Sequence, residues 1–199
     1  MKVTRRQIKM RINKFLAHCG IDSRRKCESY ILDSRVTVNG KIIKELSFII
    51  NKNDIVEVDD NRVSIPNNYE YHILHKPKGY ICTSRDELGR KNVIELIKSS
   101  HRLYTVGRLD KDTTGLIVLT DDGDFANNIL HPRYKIEIKY YAYTKDKLSV
   151  DDIIKIKKGI YLSKTEKVKA DIKHMDYAKG KHKWRIILKE GKNREIRRI

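Results

Sequence analysis

The chain has 199 residues, 39% of them hydrophobic and 8% aromatic, and carries 44 Lys and Arg against 26 Asp and Glu for a formal charge of +18. That length allows one good-sized core or a small module joined to a larger domain, and the apolar runs exclude a disordered basic tail, which could not bury enough surface to offset its ordering entropy. The charge points to a polyanionic partner, and no run approaches the roughly 18 apolar residues of a membrane span.

The N-terminus MKVTRRQIKM lacks the apolar stretch of a signal peptide. Cys19, Cys27 and Cys82 are odd in number and lack CxxC spacing, so they read as small buried hydrophobes and not as a disulfide framework or zinc site. The expectation is a reduced, cytoplasmic protein.

Residues 1–35 hold ten cations against Asp22, Glu28 and Asp33. Within them, RINKFLAHCG sets Ile12, Phe15, Leu16 and Cys19 at helical spacing with Gly20 as a stop. Ser23 suits the N-cap of a second helix, SRRKCESYILDS, whose apolar stripe is Cys27, Tyr30 and Ile31. Arg24, Arg25 and Lys26 then fall in its first turn, which is unfavourable for the helix dipole unless a phosphate binds there. RVTVNGKII alternates up to an Asn-Gly pair that predicts a two-residue hairpin turn, and DIVEV adds a short strand. Residues 9–62 therefore read as a compact binding module of two helices and a small sheet.

The stretch DDNRVSIPNNYE, with Pro66, reads as a linker. Beyond it, residues 69–199 are mostly strands: YHILHK, GYICTS, RLYTVGRL, GLIVLT, IEIKYYAYTK, KVKADIKHM and HKWRIILKE. Short helices are expected at NVIELIKS, DFANNILH and Val150 to Lys158. The fold class is α+β, a small N-terminal module followed by a domain with a largely antiparallel sheet.

In GRLDKDTTGLIVLT, Asp110 lies on a loop between two strands, where a rigid sheet can present a functional group. It equally suits a turn-capping Asp, and from this stretch alone capping is the better reading. EGKNREIRRI is a second basic cluster; with tyrosines and one strand-end acid it suits chemistry on a base that has left its stack.

GRLDKDTTGL, HKPKGYICTSRDELGRKNVIELI, DDGDFANNILHPRY and EGKNREIRRI together resemble the stand-alone pseudouridine synthases that act on small- and large-subunit ribosomal RNA, over essentially all of residues 70–199. RINKFLAHCGIDSRRKCESYILDSRVTVNGKII resembles the S-four RNA-binding domain that accompanies them. The resemblance implies a pseudouridine synthase domain, with Asp110 as the catalytic acid that isomerises uridine and Arg108 filling the space of the flipped base. Tyr141 would stack on the uracil, and Arg197 would pair with Asp110. The reaction requires no cofactor and no metal.

Phosphate contacts are expected from Lys14, Arg24, Arg25 and Lys26 on the module, and from Lys76, Lys78 and Arg90 on the catalytic domain. The partner would be ribosomal RNA or an assembling ribosomal subunit, with SRRKCE resembling the large-subunit enzymes, and the protein would be a monomer. A non-catalytic rRNA-binding or assembly protein is the main alternative; a DNA-binding regulator fits the charge but leaves the second domain unexplained.

Overall fold

The structure, a computed structural model, describes residues 9–84, 86, 88–189 and 191–199. The chain forms two compact units, Met1–Ala126 and Asn127–Ile199.

The first unit opens with β1 (Lys9–Arg11), α1 (Ile12–His18) and α2 (Arg24–Leu32), followed by β2 (Val36–Val38), β3 (Lys41–Ile42), β4 (Ile49–Asn51), β5 (Val56–Val58) and β6 (Asn61–Val63). Ile12, Leu16, Cys27, Ile31, Val36 and Ile50 are fully buried in one core. These are the helical stripes of α1 and α2 set against the inward residues of the strands, so apolar spacing alone positions the helices. The Ser23 hydroxyl accepts from the Lys26 amide at 3.2 Å, which is the expected cap.

The sheet runs β3-β2-β5-β6, and β1 pairs with β4. Asn39 and Gly40 both have positive φ, 51° and 76°, as the hairpin between β2 and β3 requires. The start of the expected linker is instead β6, joined to β5 by a turn in which Asp59 (φ 50°) and Asp60 (φ 62°) are both left-handed. Asp tolerates that conformation, so an Asp-Asp pair here does the work that Asn-Gly does in the preceding hairpin. Strand β1 was likewise outside the expected set.

The same unit continues with β7 (Tyr71–Lys76), β8 (Tyr104–Val106) and β9 (Gly115–Thr120), ordered β7-β9-β8, and α3 (Gly123–Leu130) begins within it. Val93, Leu103, Ile117 and Leu119 form its second core. Two expectations change here. GYICTS contributes only an isolated bridge, Ile81 to Asn92, and the expected helix at NVIELIKS is one 3-10 turn, Val93–Leu96. The Asn92 side chain accepts from the amides of Ile94 and Glu95, favouring a tight turn over a propagated helix.

The second unit contains β10 (Ile138–Thr144), α4 (Val150–Lys158), the short pair β11 (Ile160–Tyr161) and β12 (Lys167–Val168), then β13 (Asp171–Ala178), β14 (Lys181–Leu188) and α5 (Glu195–Arg198). Its main sheet is β10-β14-β13, antiparallel throughout. One face buries Ile172, Trp184, Ile186 and Leu188 with Ile156 of α4 against them, and Ile196 and Ile199 at the chain end pack on the same cluster. Trp184 is 1% exposed, and its indole N–H reaches the Thr144 hydroxyl at 2.8 Å. A capping box between Ser149 and Asp152 starts α4 at the expected residue.

Candidate active site

The chain leaves β8 through Gly107 (φ 84°) and passes Arg108, Leu109 and Asp110 before entering β9 at Gly115. Arg108 is exposed and Asp110 half-buried. Several bonds fix this loop. The Leu109 amide donates to the Cys82 sulfur at 3.3 Å, the Gly79 amide to the Lys111 carbonyl at 2.9 Å, and the Thr113 amide to the carbonyl of Asp110 at 3.0 Å.

Lys76 supplies the main tie. It ends β7 opposite Gly115, is 0% exposed, and its ammonium donates to three carbonyls: Pro77 at 3.0 Å, Lys111 at 3.1 Å and Thr113 at 2.8 Å. Burial lowers its pKa below the ordinary lysine value, while the neighbouring Cys82, Asp112 and Asp110 pull the other way. A fully enclosed ammonium with three partners has no surface left for a phosphate, so the expectation of a phosphate contact at Lys76 is corrected to one of loop support. The signal was present in the alternation of YHILHK, because Lys76 is in phase with Leu74, which packs on the core.

The other expected RNA contacts divide by environment. Arg24, Arg25 and Lys26 are exposed together on the first turn of α2, and Lys78 is exposed beside the loop. Lys14 is engaged with Asp124 at 2.8 Å, and Arg90 holds Asp86 through Nη2 at 2.6 Å and Nε at 3.0 Å. For those two, an RNA phosphate would have to compete with a carboxylate.

In the second unit Arg197 is exposed on α5, while its neighbour Arg198 donates to the Asn193 carbonyl at 3.1 Å and binds Glu166 at 2.5 Å. Glu195 is buried and accepts from the Lys192 amide at 2.7 Å, which anchors the turn of α5. Tyr140 is opposite Ile186 and packs on the cluster that also receives Ile196 of α5. Tyr141 is opposite Arg185, on the other face of the sheet. It is 52% exposed, with the Lys183 ammonium 4.6 Å from its ring centroid. Tyr141, the residue expected to stack on the uracil, thus stands on the open face of the sheet, and Tyr140 stands on the covered one.

A polar cluster that sequence reasoning did not single out ties β7 to the segment before β8. His101 Nδ1 is 2.7 Å from Asp121, Glu70 accepts from the Ser99 hydroxyl at 2.6 Å, and His72 Nε2 is 2.8 Å from Glu70. The bond to Asp121 raises the His101 pKa above its ordinary value, with Glu70 adding to it. His101 and Asp121 also line a groove of about 280 Å³ with His18, Cys19 and Arg102, and this groove includes neither Arg108 nor Asp110. Among the described residues no group of three or more His, Cys, Asp and Glu is arranged to hold a metal, and no helix is long and apolar enough to cross a membrane.

Comparison with known proteins identifies the two regions. A family profile described as RNA pseudouridylate synthase matches residues 70–199, and one described as S4 domain matches residues 10–56. The chain is 38% identical over 192 residues to a Bacillus subtilis (strain 168) protein named ribosomal large subunit pseudouridine synthase B, covering 95% of this chain and 78% of that one. It is 40% identical over 195 residues to an uncharacterized RNA pseudouridine synthase of Aquifex aeolicus (strain VF5), covering 96% and 78%. A solved structure described as a pseudouridylate synthase superposes with a TM-score of 0.64 at 27% identity, over 95% of this chain and 81% of that one. The chain therefore belongs to the RNA pseudouridylate synthase family, with an S4 domain ahead of the synthase domain.

Proposed function

We propose that this chain isomerises a specific uridine of ribosomal RNA to pseudouridine, with large-subunit rRNA as the substrate and Asp110 as the catalytic carboxylate. The glycosidic bond from the sugar C1′ to N1 breaks, the uracil turns in place, and a bond from C1′ to C5 forms. The C5 proton leaves and N1 gains one, so product and substrate are isomers and no redox partner or group donor is consumed. Asp110 starts this by attacking the uracil ring, by attacking C1′, or by removing a sugar proton; an ionised carboxylate serves all three routes.

The other roles follow from charge and shape. A uridine within a folded RNA must leave its stack, at a cost of about a few kcal/mol, and Arg108, exposed two residues before Asp110, replaces the lost base. Arg197 is the positive partner that directs the carboxylate. Tyr141, exposed on the open face of its sheet, supplies the ring for the uracil. Arg24, Arg25, Lys26 and Lys78 hold phosphates without reading sequence.

The observation that carries this reading is the fixed loop: Lys76, Gly79 and Cys82 grip both sides of Asp110, an outlay of buried polar bonds that a mere turn-capping acid does not need. Support for ribosomal RNA comes from the name of the Bacillus relative. The test is pseudouridine mapping of rRNA from cells lacking the protein, complemented with wild type or Asp110→Ala. Loss of one site, restored by wild type alone, is expected. A full set of sites without the protein, or restoration by Asp110→Ala, would refute the reading and leave RNA binding without turnover.

A further inference from the structure

We infer that the S4 domain is seated in one fixed pose on the sheet that leads to Asp110, with His18, Lys14 and Asp22 held against Gly123, Asp124 and Arg102, and that these seam residues decide which uridine reaches the carboxylate. The choice of uridine rests on the proposed RNA substrate; the seat does not.

Contact is closest at the end of α1. A Cβ added to Gly123, the first residue of α3, would lie 3.1 Å from His18 Nε2 and 3.2 Å from the Tyr104 hydroxyl, so the lack of a side chain is what lets α1, β8 and α3 approach this nearly. His18 is 8% exposed, and burial lowers its pKa below the ordinary histidine value despite Asp124 nearby, so a neutral ring fills the notch. Two ion pairs flank it, Lys14 with Asp124 at 2.8 Å and Arg102 with Asp22 at 3.3 Å. Partly exposed pairs hold weakly by themselves. Together with the His18 contact they make three points of attachment, which stops the domain from pivoting.

The connecting segment is clamped at both ends. Ile65 packs on the core of the S4 domain, while the Glu70 amide donates to Asp121 at 2.8 Å and the Glu70 carbonyl accepts from the Thr120 hydroxyl at 2.6 Å. Residues 66–69 are left to span the gap, whereas a long, loosely packed polar linker would let the domains move.

Through this seam the two functional elements are joined by a short path. Asp22 immediately precedes Ser23, the cap of α2, and so stands beside the exposed Arg24, Arg25 and Lys26. Arg102 precedes β8, which runs through Gly107 into the loop of Asp110. The eight residues from Arg102 to Asp110 reach at most about 29 Å when fully extended. Phosphates held on α2 and a uridine held at Asp110 therefore belong to one local RNA element, and cations that read no sequence still select the site by setting this span.

Relaxation of nitrogen-15 in the full chain reads the seat without turnover. Amides of the S4 domain and of β7, β8 and β9 should report one rotational correlation time in the wild type and in Asp110→Ala. Gly123→Leu improves the helix propensity of α3 but fills the notch, and should give the S4 domain a shorter time of its own while both sets of amides stay dispersed as in a folded protein. Arg102→Glu should do the same, and Asp22→Lys/Arg102→Glu should restore the single time. Site choice is read by mapping pseudouridine after incubation with total rRNA from cells lacking the protein. In Gly123→Leu and Arg102→Glu, modification at the wild-type site relative to other uridines should fall at least about tenfold, while the single-turnover rate at saturation on a short fragment carrying that site stays within about threefold. The swapped pair should recover the ratio. A separate correlation time for the S4 domain in the wild type, or unchanged site choice once the domain is released, would overturn the inference. A wild type that modifies no rRNA would refute the enzyme reading and the choice of uridine together, while the fixed seat stands or falls on the relaxation times.

Discussion

Replacing Lys76 with Met separates two roles for a lysine in the catalytic region. Met retains most of the aliphatic stem and removes the ammonium, leaving the carbonyls of Pro77, Lys111 and Thr113 without the donor now 2.8–3.1 Å away. A buried acceptor left unsatisfied costs about 1–3 kcal/mol, and a hydrogen bond to a charged group contributes about 1.5–3 kcal/mol. Two terms reduce the sum of three such losses: Lys111 is exposed, so water can reach part of the loop, and the cost of enclosing an ammonium disappears. The net expectation is a loss of about 1–3 kcal/mol in stability. The effect on rate should be larger in proportion. Lys111 and Thr113 are one and three residues beyond Asp110, and a displacement of about 1 Å at a reacting group costs on the order of 10²-fold.

The assay is release of tritium from rRNA fragments bearing 5-tritiated uridine, under single turnover at saturating enzyme, with RNA affinity measured in parallel. Loss of the C5 hydrogen is intrinsic to the isomerisation, so the readout follows chemistry. Lys76→Met should lower the rate about 100-fold while RNA affinity stays within about threefold. Normal turnover with weakened, less salt-sensitive binding would refute the argument and return Lys76 to the role of a phosphate contact.

Charge at the S4 domain should behave in the opposite way. Arg24→Ala/Arg25→Ala/Lys26→Ala is expected to weaken binding to any RNA and reduce the salt slope by about 2–3, with single-turnover rate at saturation little changed. A selective loss for one RNA sequence would contradict the phosphate assignment. His101 gives a pH prediction. Its pKa is raised above the ordinary histidine value, first by Asp121 and then by Glu70, so its stabilisation is complete below about pH 6.5 and fades as pH rises through the higher folded value. The melting temperature of wild type should exceed that of His101→Gln more at about pH 6 than at about pH 9. An equal difference at both would refute the charged pairing.

Several features were legible from residues alone because their causes are local. Ser23 caps α2, Asn39 and Gly40 turn the first hairpin, and Val150–Lys158 is helical from its own capping box. The second hairpin was missed at Asp59 and Asp60, where the sequence lacks the glycine that advertises such a turn, and GYICTS was assigned to a strand that forms only one bridge. In these segments the partner strand, and not the propensity of the segment itself, decides the outcome.

At the site the same division holds. Charge, the placement of Asp110 on a loop between strands, and the basic cluster ending at Ile199 are properties of the sequence by itself, since they depend on composition and short spacings. The direction of Lys76 and the separation of Tyr140 from Tyr141 were decided by tertiary structure. A strand's alternation says that neighbouring side chains face opposite ways, but which way is enclosed depends on where distant elements come to rest. Here β9 and its preceding loop close over Lys76, and the packing of α4 and α5 covers the Tyr140 face, which leaves the face of Tyr141 open.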